Sequence, residues 1–139
     1  MAESPSRDDL RAFADFSERF SALGFVAGEW IEPTTRDDGV IEVGWWSASA
    51  AVAEWEQALY DHKIIDPDSD YLDESNVEFV NRVVAKPSLL TEVDLPTLRR
   101  VLTFLARAER HTGGGWYASA FESGMALTAT RRLGELAST

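Results

Sequence analysis

The stretch from Asp94 to Leu136 most constrains the fold, because it carries two helical patterns in succession separated by Gly113-Gly114-Gly115. Asp94 is a good N-cap, and Pro96 fits the first helical turn, where its missing N–H costs no bond. Leu95, Leu98, Val101, Leu102 and Leu105 then recur at three- and four-residue spacing and form one apolar stripe. At about 100° per residue, Arg99, Arg100, Arg107 and Arg110 fall together on the opposite side. That cationic face reads either as a solvated surface or as a site for a planar anion, which guanidinium forks hold at two points.

Glu109 interrupts the leucine stripe, seven residues after Leu102 and four after Leu105. A carboxylate in that position is paired, neutralised or at the mouth of a pocket, unless the helix frays before the glycines and exposes it. The second helix, Trp116 to Leu136, is aromatic or small on nearly every side, the mark of a central buried helix. Glu122 and Ser123 break its apolar run, and Gly124 allows a close neighbour. Glu122 is a second candidate buried acid, with Arg107 or Arg110 as its expected partner.

Several motifs support a family resemblance. They are Gly28-Glu29-Trp30, Ala58-Leu59-Tyr60-Asp61, Arg107-Ala108-Glu109-Arg110 and Phe121-Glu122-Ser123-Gly124. The run Pro87-Ser88-Leu89-Leu90 into Asp94-Leu95 and Thr97-Leu98-Arg99 adds to them. Together they resemble a family of small bacterial proteins catalogued as a domain of unknown function, over about Leu10 to Leu136. The resemblance implies a mainly helical fold and no particular activity. His111 and Gly115 depart from the pattern, with Phe expected at the first and His common at the second. If that histidine does chemistry in relatives, this chain lacks it.

A chain of 139 residues with 45% hydrophobic and 11% aromatic content suits one globular domain, 1–139. Cysteine is absent, which removes disulfides and thiolate metal sites and fits a cytoplasmic protein. The N-terminus lacks a basic-then-apolar signal pattern, and no apolar run has the length of a membrane span. The net charge of −11 argues against nucleic acid as a partner. The charge is uneven: residues 1–98 hold 7 basic and 21 acidic side chains, whereas 99–139 hold 6 and 3.

Asp8 and Asp9 after Ser6 start a first helix, with Leu10, Phe13, Phe16, Phe20 and Leu23 as its stripe and Gly24 as its stop. Phe25 to Trp30 and Val40 to Trp46 read as the arms of a hairpin whose loop is Thr34 to Gly39. Ile41, Val43 and Trp45 form its apolar face. Glu29 points to water while Trp30 packs on the helices, or else Trp30, Trp45 and Trp46 rim a cleft. A helix capped by Ser47 or Ser49 follows and buries Val52, Trp55, Ala58 and Leu59. His62 at its end reads as a favourable charge rather than a ligand. Residues Asp73 to Ala85 suit a short helix, although the valines also permit a strand.

Metal sites find little support. Asp66, Asp68 and Asp70 alternate like the opening of a calcium loop, but Tyr71 stands in place of its glycine and Val77 in place of its closing Glu. Two histidines far apart do not make a zinc site. The glycines at 113–115 lack the lysine and strand of a phosphate loop, and no nucleophile elbow occurs.

The expected architecture is therefore mainly α with a small β-hairpin (α+β), about five helices around the helical pair 94–136. The expected function is a non-enzymatic binding domain for a small or anionic ligand, with no cofactor. Its site would lie between the hairpin and the helical pair, formed from Glu29, Trp30, Arg107, Glu109, Arg110 and Glu122. The alternative is an acidic interaction module, such as an immunity protein, antitoxin or phage-related regulator, with a basic protein partner. An enzyme using Glu109 and Glu122 as acid and base is the weakest reading, since no full set of roles can be assigned.

Overall fold

The computed structural model describes residues 4–109 and 115–138. Helix α1 (Arg7–Ser21) begins with a reciprocal cap: the Asp9 amide donates to Ser6 Oγ at 3.1 Å, and the Ser6 amide donates to Asp9 Oδ2 at 2.8 Å. Leu10, Phe13 and Phe20 are buried as the stripe requires, but the helix stops at Ser21 and Leu23 is fully exposed.

The Asp9 carboxylate also reaches His62 Nδ1 at 3.1 Å, tying the start of α1 to the end of helix α2 (Ala50–Asp61). The Ser6 amide, then His62, hold the Asp9 pKa down at about 2 against an ordinary 3.8. A lowered folded-state pKa means that this contribution is complete above about pH 4 and is lost as pH falls towards 2. Asp9→Asn is therefore expected to flatten the acid limb of a Tm-versus-pH curve between pH 4 and 2. An unchanged acid limb would remove Asp9 as its source.

The hairpin has two short antiparallel ladders. Strands β1 (Gly28–Ile31) and β4 (Trp45–Ala48) pair with Trp30 opposite Trp46, and β2 (Thr34–Thr35) and β3 (Ile41–Glu42) pair with Thr35 opposite Ile41. Its arms are shorter and differently bounded than Phe25–Trp30 and Val40–Trp46. Its covered face also differs from expectation. Ile41, Val43 and Trp45 are 67%, 84% and 50% exposed, while Trp46 is 6% exposed. Alternation shows which residues share a face, but only packing decides which face is covered. Here the helices cover the Trp46 face near β4, and nothing among the described residues covers the outer part of the hairpin.

Ser49 caps α2, which buries Val52, Trp55, Ala58 and Leu59 as its spacing predicts. Helix α3 (Glu74–Ala85) resolves the helix-or-strand ambiguity in favour of helix, and a 3-10 turn follows at Pro87–Leu90. Helix α4 (Leu95–Glu109) starts where the Thr97 amide donates to Asp94 Oδ1 at 2.9 Å. Its burial is wider than one stripe, since Thr103, Phe104 and Ala106 are buried as well.

The expected single helix from Trp116 to Leu136 is two helices, α5 (Gly115–Ser123) and α6 (Met125–Leu136). The break is Gly124, whose φ of +88° is left-handed, so the described residues form six α-helices rather than about five. Gly124 serves this bend, not a close neighbour: a Cβ there would meet nothing within 4 Å. The break also changes the packing plan. The most extensive helix contact joins α6 to α1, the two ends of the chain, while α5 packs against α4 and α6.

Trp55 sits at the centre, completely buried. It meets Phe20, Tyr117 and Phe121 edge to face, with ring centroids at 6.1, 5.8 and 5.3 Å. Its indole N–H donates to Thr130 Oγ1 at 3.1 Å, and that hydroxyl donates to the Ala126 carbonyl at 2.6 Å. Among the described residues no helix is long and apolar enough to cross a membrane.

Candidate functional site

A cavity of 290 Å³ opens where the hairpin meets α1, α5 and α6. Each wall follows from a local feature of the chain. Phe20 comes from the last turn of α1, and Phe25 and Ala27 from the link into β1. Gly28 and Trp46 come from the hairpin, and Phe121 and Glu122 from the end of α5. Gly124 and Leu127 close it at the helix break. The rings form a continuous wall: Phe20 lies 5.0 Å from Phe25 and 5.2 Å from Phe121, and Trp46 stacks beside Phe121 at 6.4 Å.

Gly28 has a specific role in this wall. Trp46 leans across it, so that a Cβ on residue 28 would lie 2.4 Å from Trp46 Cζ2 and 2.5 Å from the Ser47 carbonyl oxygen. Only glycine leaves room for the indole there.

Glu122 is exposed at the edge of the cavity and, among the described residues, is its only ionisable lining residue. The expected buried pair with Arg107 or Arg110 does not form among the described residues, where Glu122 has no ion-pair or hydrogen-bond partner. Arg107 instead lies over the Tyr60 ring, 6.0 Å from its centroid. Arg110 lies outside the described residues. Glu29 and Trp30 are both exposed and do not line this cavity. Of the five candidate residues that are described, only Glu122 is in it.

The other arginines of α4 hold a loop. Arg99 donates to the carbonyls of Lys63 at 3.0 Å and Ile64 at 3.2 Å. Arg100 donates to the Asp70 carbonyl at 3.4 Å and lies 3.6 Å from Asp73 Oδ2. The acidic stretch is thus anchored by the cationic face of α4. Among the described residues no three metal-ligating side chains converge.

Glu109 has a structural explanation that its sequence position does not reveal. Its Oε2 accepts from the Tyr117 amide at 2.5 Å, in the first turn of α5. Free amides and the positive end of the helix dipole both favour a carboxylate there. Glu109 therefore caps α5 from the end of α4. Glu109→Ala is expected to lower stability by about 1–2 kcal/mol, as loss of a capping side chain does, and urea unfolding measures it. Glu109→Gln, which keeps an acceptor but loses the charge, should cost less, about 0.3–1 kcal/mol. Equal losses in both variants would show that charge, not the acceptor, is what matters.

Sequence reasoning missed the other half of this cluster. The Tyr117 hydroxyl donates to Glu56, 61 positions earlier in the chain. Burial, then Glu56, push the Tyr117 phenol above its ordinary pKa, so it stays protonated and acts as a donor. The only signal in the sequence was a tyrosine on a helix that is apolar nearly all round.

Among the described residues the cavity lining contains no serine, threonine, cysteine, histidine or lysine. Glu109 is engaged at the start of α5, while Glu122 stands in its last turn. Searches of curated proteins and of solved structures return no match. The model of a family of unknown function, DUF6508, matches residues 5–139, nearly the whole chain. The chain belongs to the DUF6508 family.

Proposed function

We propose that this is a bacterial, cytoplasmic, non-enzymatic binding domain whose small ligand occupies the cavity between the hairpin and helices α1, α5 and α6. The observation that carries the reading is an open cavity of 290 Å³ with aromatic walls and a single unpaired carboxylate at its edge. Small-ligand sites typically combine a mostly apolar concavity with a few polar groups that fix orientation. Of the arginines expected to hold an anion, Arg99 and Arg100 bond the 63–73 loop and Arg107 lies over Tyr60, so none of these three lines this cavity.

Native mass spectrometry of protein purified gently from its own host tests this. The expected result is a reproducible small extra mass, lost on denaturing and absent from Leu127→Trp, which fills the cavity from the exposed side of α6. An adduct retained by a folded Leu127→Trp variant would place the ligand elsewhere.

The exposed hairpin favours a second reading, interaction with a basic protein. Val26, Trp30, Val40, Ile41, Val43 and Trp45 are half exposed or more, and Glu29, Glu32, Asp37, Asp38 and Glu42 surround them. Large exposed apolar groups rimmed by charge mark interaction surfaces. A protein partner recovered at low salt should be lost on Ile41→Ser with Val43→Ser and weaken steeply with salt. Recovery that is indifferent to both would exclude the hairpin.

A further inference from the structure

We infer that the cavity takes a small organic cation bearing an alkylated ammonium group; this rests on the binding reading above and names its ligand class. Three independent features of the cavity share one electrostatic sign. The first is its wall: Phe20, Phe25, Trp46 and Phe121 present aromatic rings, whose faces carry negative charge density that attracts cations. The second is Glu122, which among the described residues is the one ionisable group in the lining and has no cation bound to it.

The third is the direction of the helices. Phe20 stands in the last turn of α1, and Phe121 and Glu122 in the last turn of α5, so the negative ends of two helix dipoles lie beside this region, where the Arg19, Ala120 and Phe121 carbonyls already accept hydrogen bonds. The opposing contribution is the start of α6 at Gly124, whose first amide, on Met125, is already bonded to Ser123 Oγ at 3.3 Å. Of the cations on the flanking helices, Arg19 pairs with Glu54 at 2.6 Å, and Arg131 donates to Ser21 Oγ at 3.0 Å at the end of α1; neither lines the cavity. Among the described residues no protein cation fills the place, while the apolar walls disfavour a strongly hydrated ion such as sodium. An alkylated ammonium group meets both conditions, since its charge is spread over methyl groups that pack on rings.

The test uses three probes of one shape: choline, its neutral carbon analogue 3,3-dimethyl-1-butanol, and the anion 3,3-dimethylbutanoate. Each is titrated into the full chain by calorimetry and ligand-observed NMR, up to ~10 mM, where even weak binding registers. Choline should bind about tenfold or more tighter than the alcohol, the scale of a desolvated cation–aromatic contact with a carboxylate beside it. Glu122→Gln should erase most of that preference, weakening choline far more than the alcohol. Equal binding of choline and the alcohol, or tighter binding of the anion, would overturn the cation inference and leave the cavity as a binding site. Failure of all three probes, with the chain folded and Leu127→Trp indistinguishable from it, would count against both.

Discussion

Trp55→Ala is expected to destabilise the protein by about 3–5 kcal/mol, the range for deleting a large buried aromatic. Against a typical total of about 5–15 kcal/mol, that is a large fraction of the whole. The reason for a value in this range is connectivity. Trp55 touches rings from α1 and α5, and its N–H holds Thr130 on α6, so one side chain joins four helices. Truncation leaves an apolar void and deprives Thr130 of its donor. Trp55→Phe separates the two effects: it keeps most of the packing and loses only the hydrogen bond, at about 1–3 kcal/mol. Urea unfolding of both variants checks this, with the midpoint falling further for alanine than for phenylalanine. A loss below about 1 kcal/mol for Trp55→Ala would mean that the centre of the core lies elsewhere.

Gly28→Ala is the second large effect, and it comes from a single added methyl group. That methyl would sit 2.4 Å from the Trp46 indole and 2.5 Å from a backbone oxygen, so either the indole swings away or β1 separates from β4. Overpacking of this kind costs about 1–3 kcal/mol. Because Trp46 and Gly28 both line the cavity, the variant should also change Trp fluorescence and weaken any ligand held there. In a Trp46→Ala background the added methyl should cost less, although the contact with the Ser47 oxygen leaves a residue of the effect. Undiminished cost in that background would assign the strain to the backbone alone.

The helices were largely legible because the periodicity that forms a helix also marks its buried side. Val52, Trp55, Ala58 and Leu59 are buried as their spacing predicts, as are Leu98, Val101, Leu102 and Leu105. Caps were legible for the same local reason: Ser49 and Asp94 sit within three residues of the amides they accept from. The hairpin was legible as a hairpin but not in its orientation, since Ile41, Val43 and Trp45 look as buriable as Trp46 until a helix covers one face. Gly124 was visible as a glycine, yet its left-handed φ, and with it the division of α5 from α6, came from the path of the chain.

The candidate site divides along the same line. A cavity between the hairpin and the helices with Glu122 in its lining agrees with the expectation from residue types and order, although Glu122 is exposed and not buried. Its full membership could not be argued so. Glu29, Trp30 and Arg107 are separated from Glu122, while Phe20, Phe25 and Leu127 enter from segments whose sequence marks them as ordinary core. Glu109 stood out in its stripe, but the Tyr117 amide that accounts for it belongs to the next helix. Local rules govern helix type, caps and the apolar side of each element, because their forces act within about one turn of helix. Which elements meet, and which polar groups they bring together, depends on contacts such as Tyr117 with Glu56 and Trp55 with Thr130, between residues 61 and 75 positions apart. Those pairings follow from how six helices and a hairpin share one interior, and only the tertiary structure decides that.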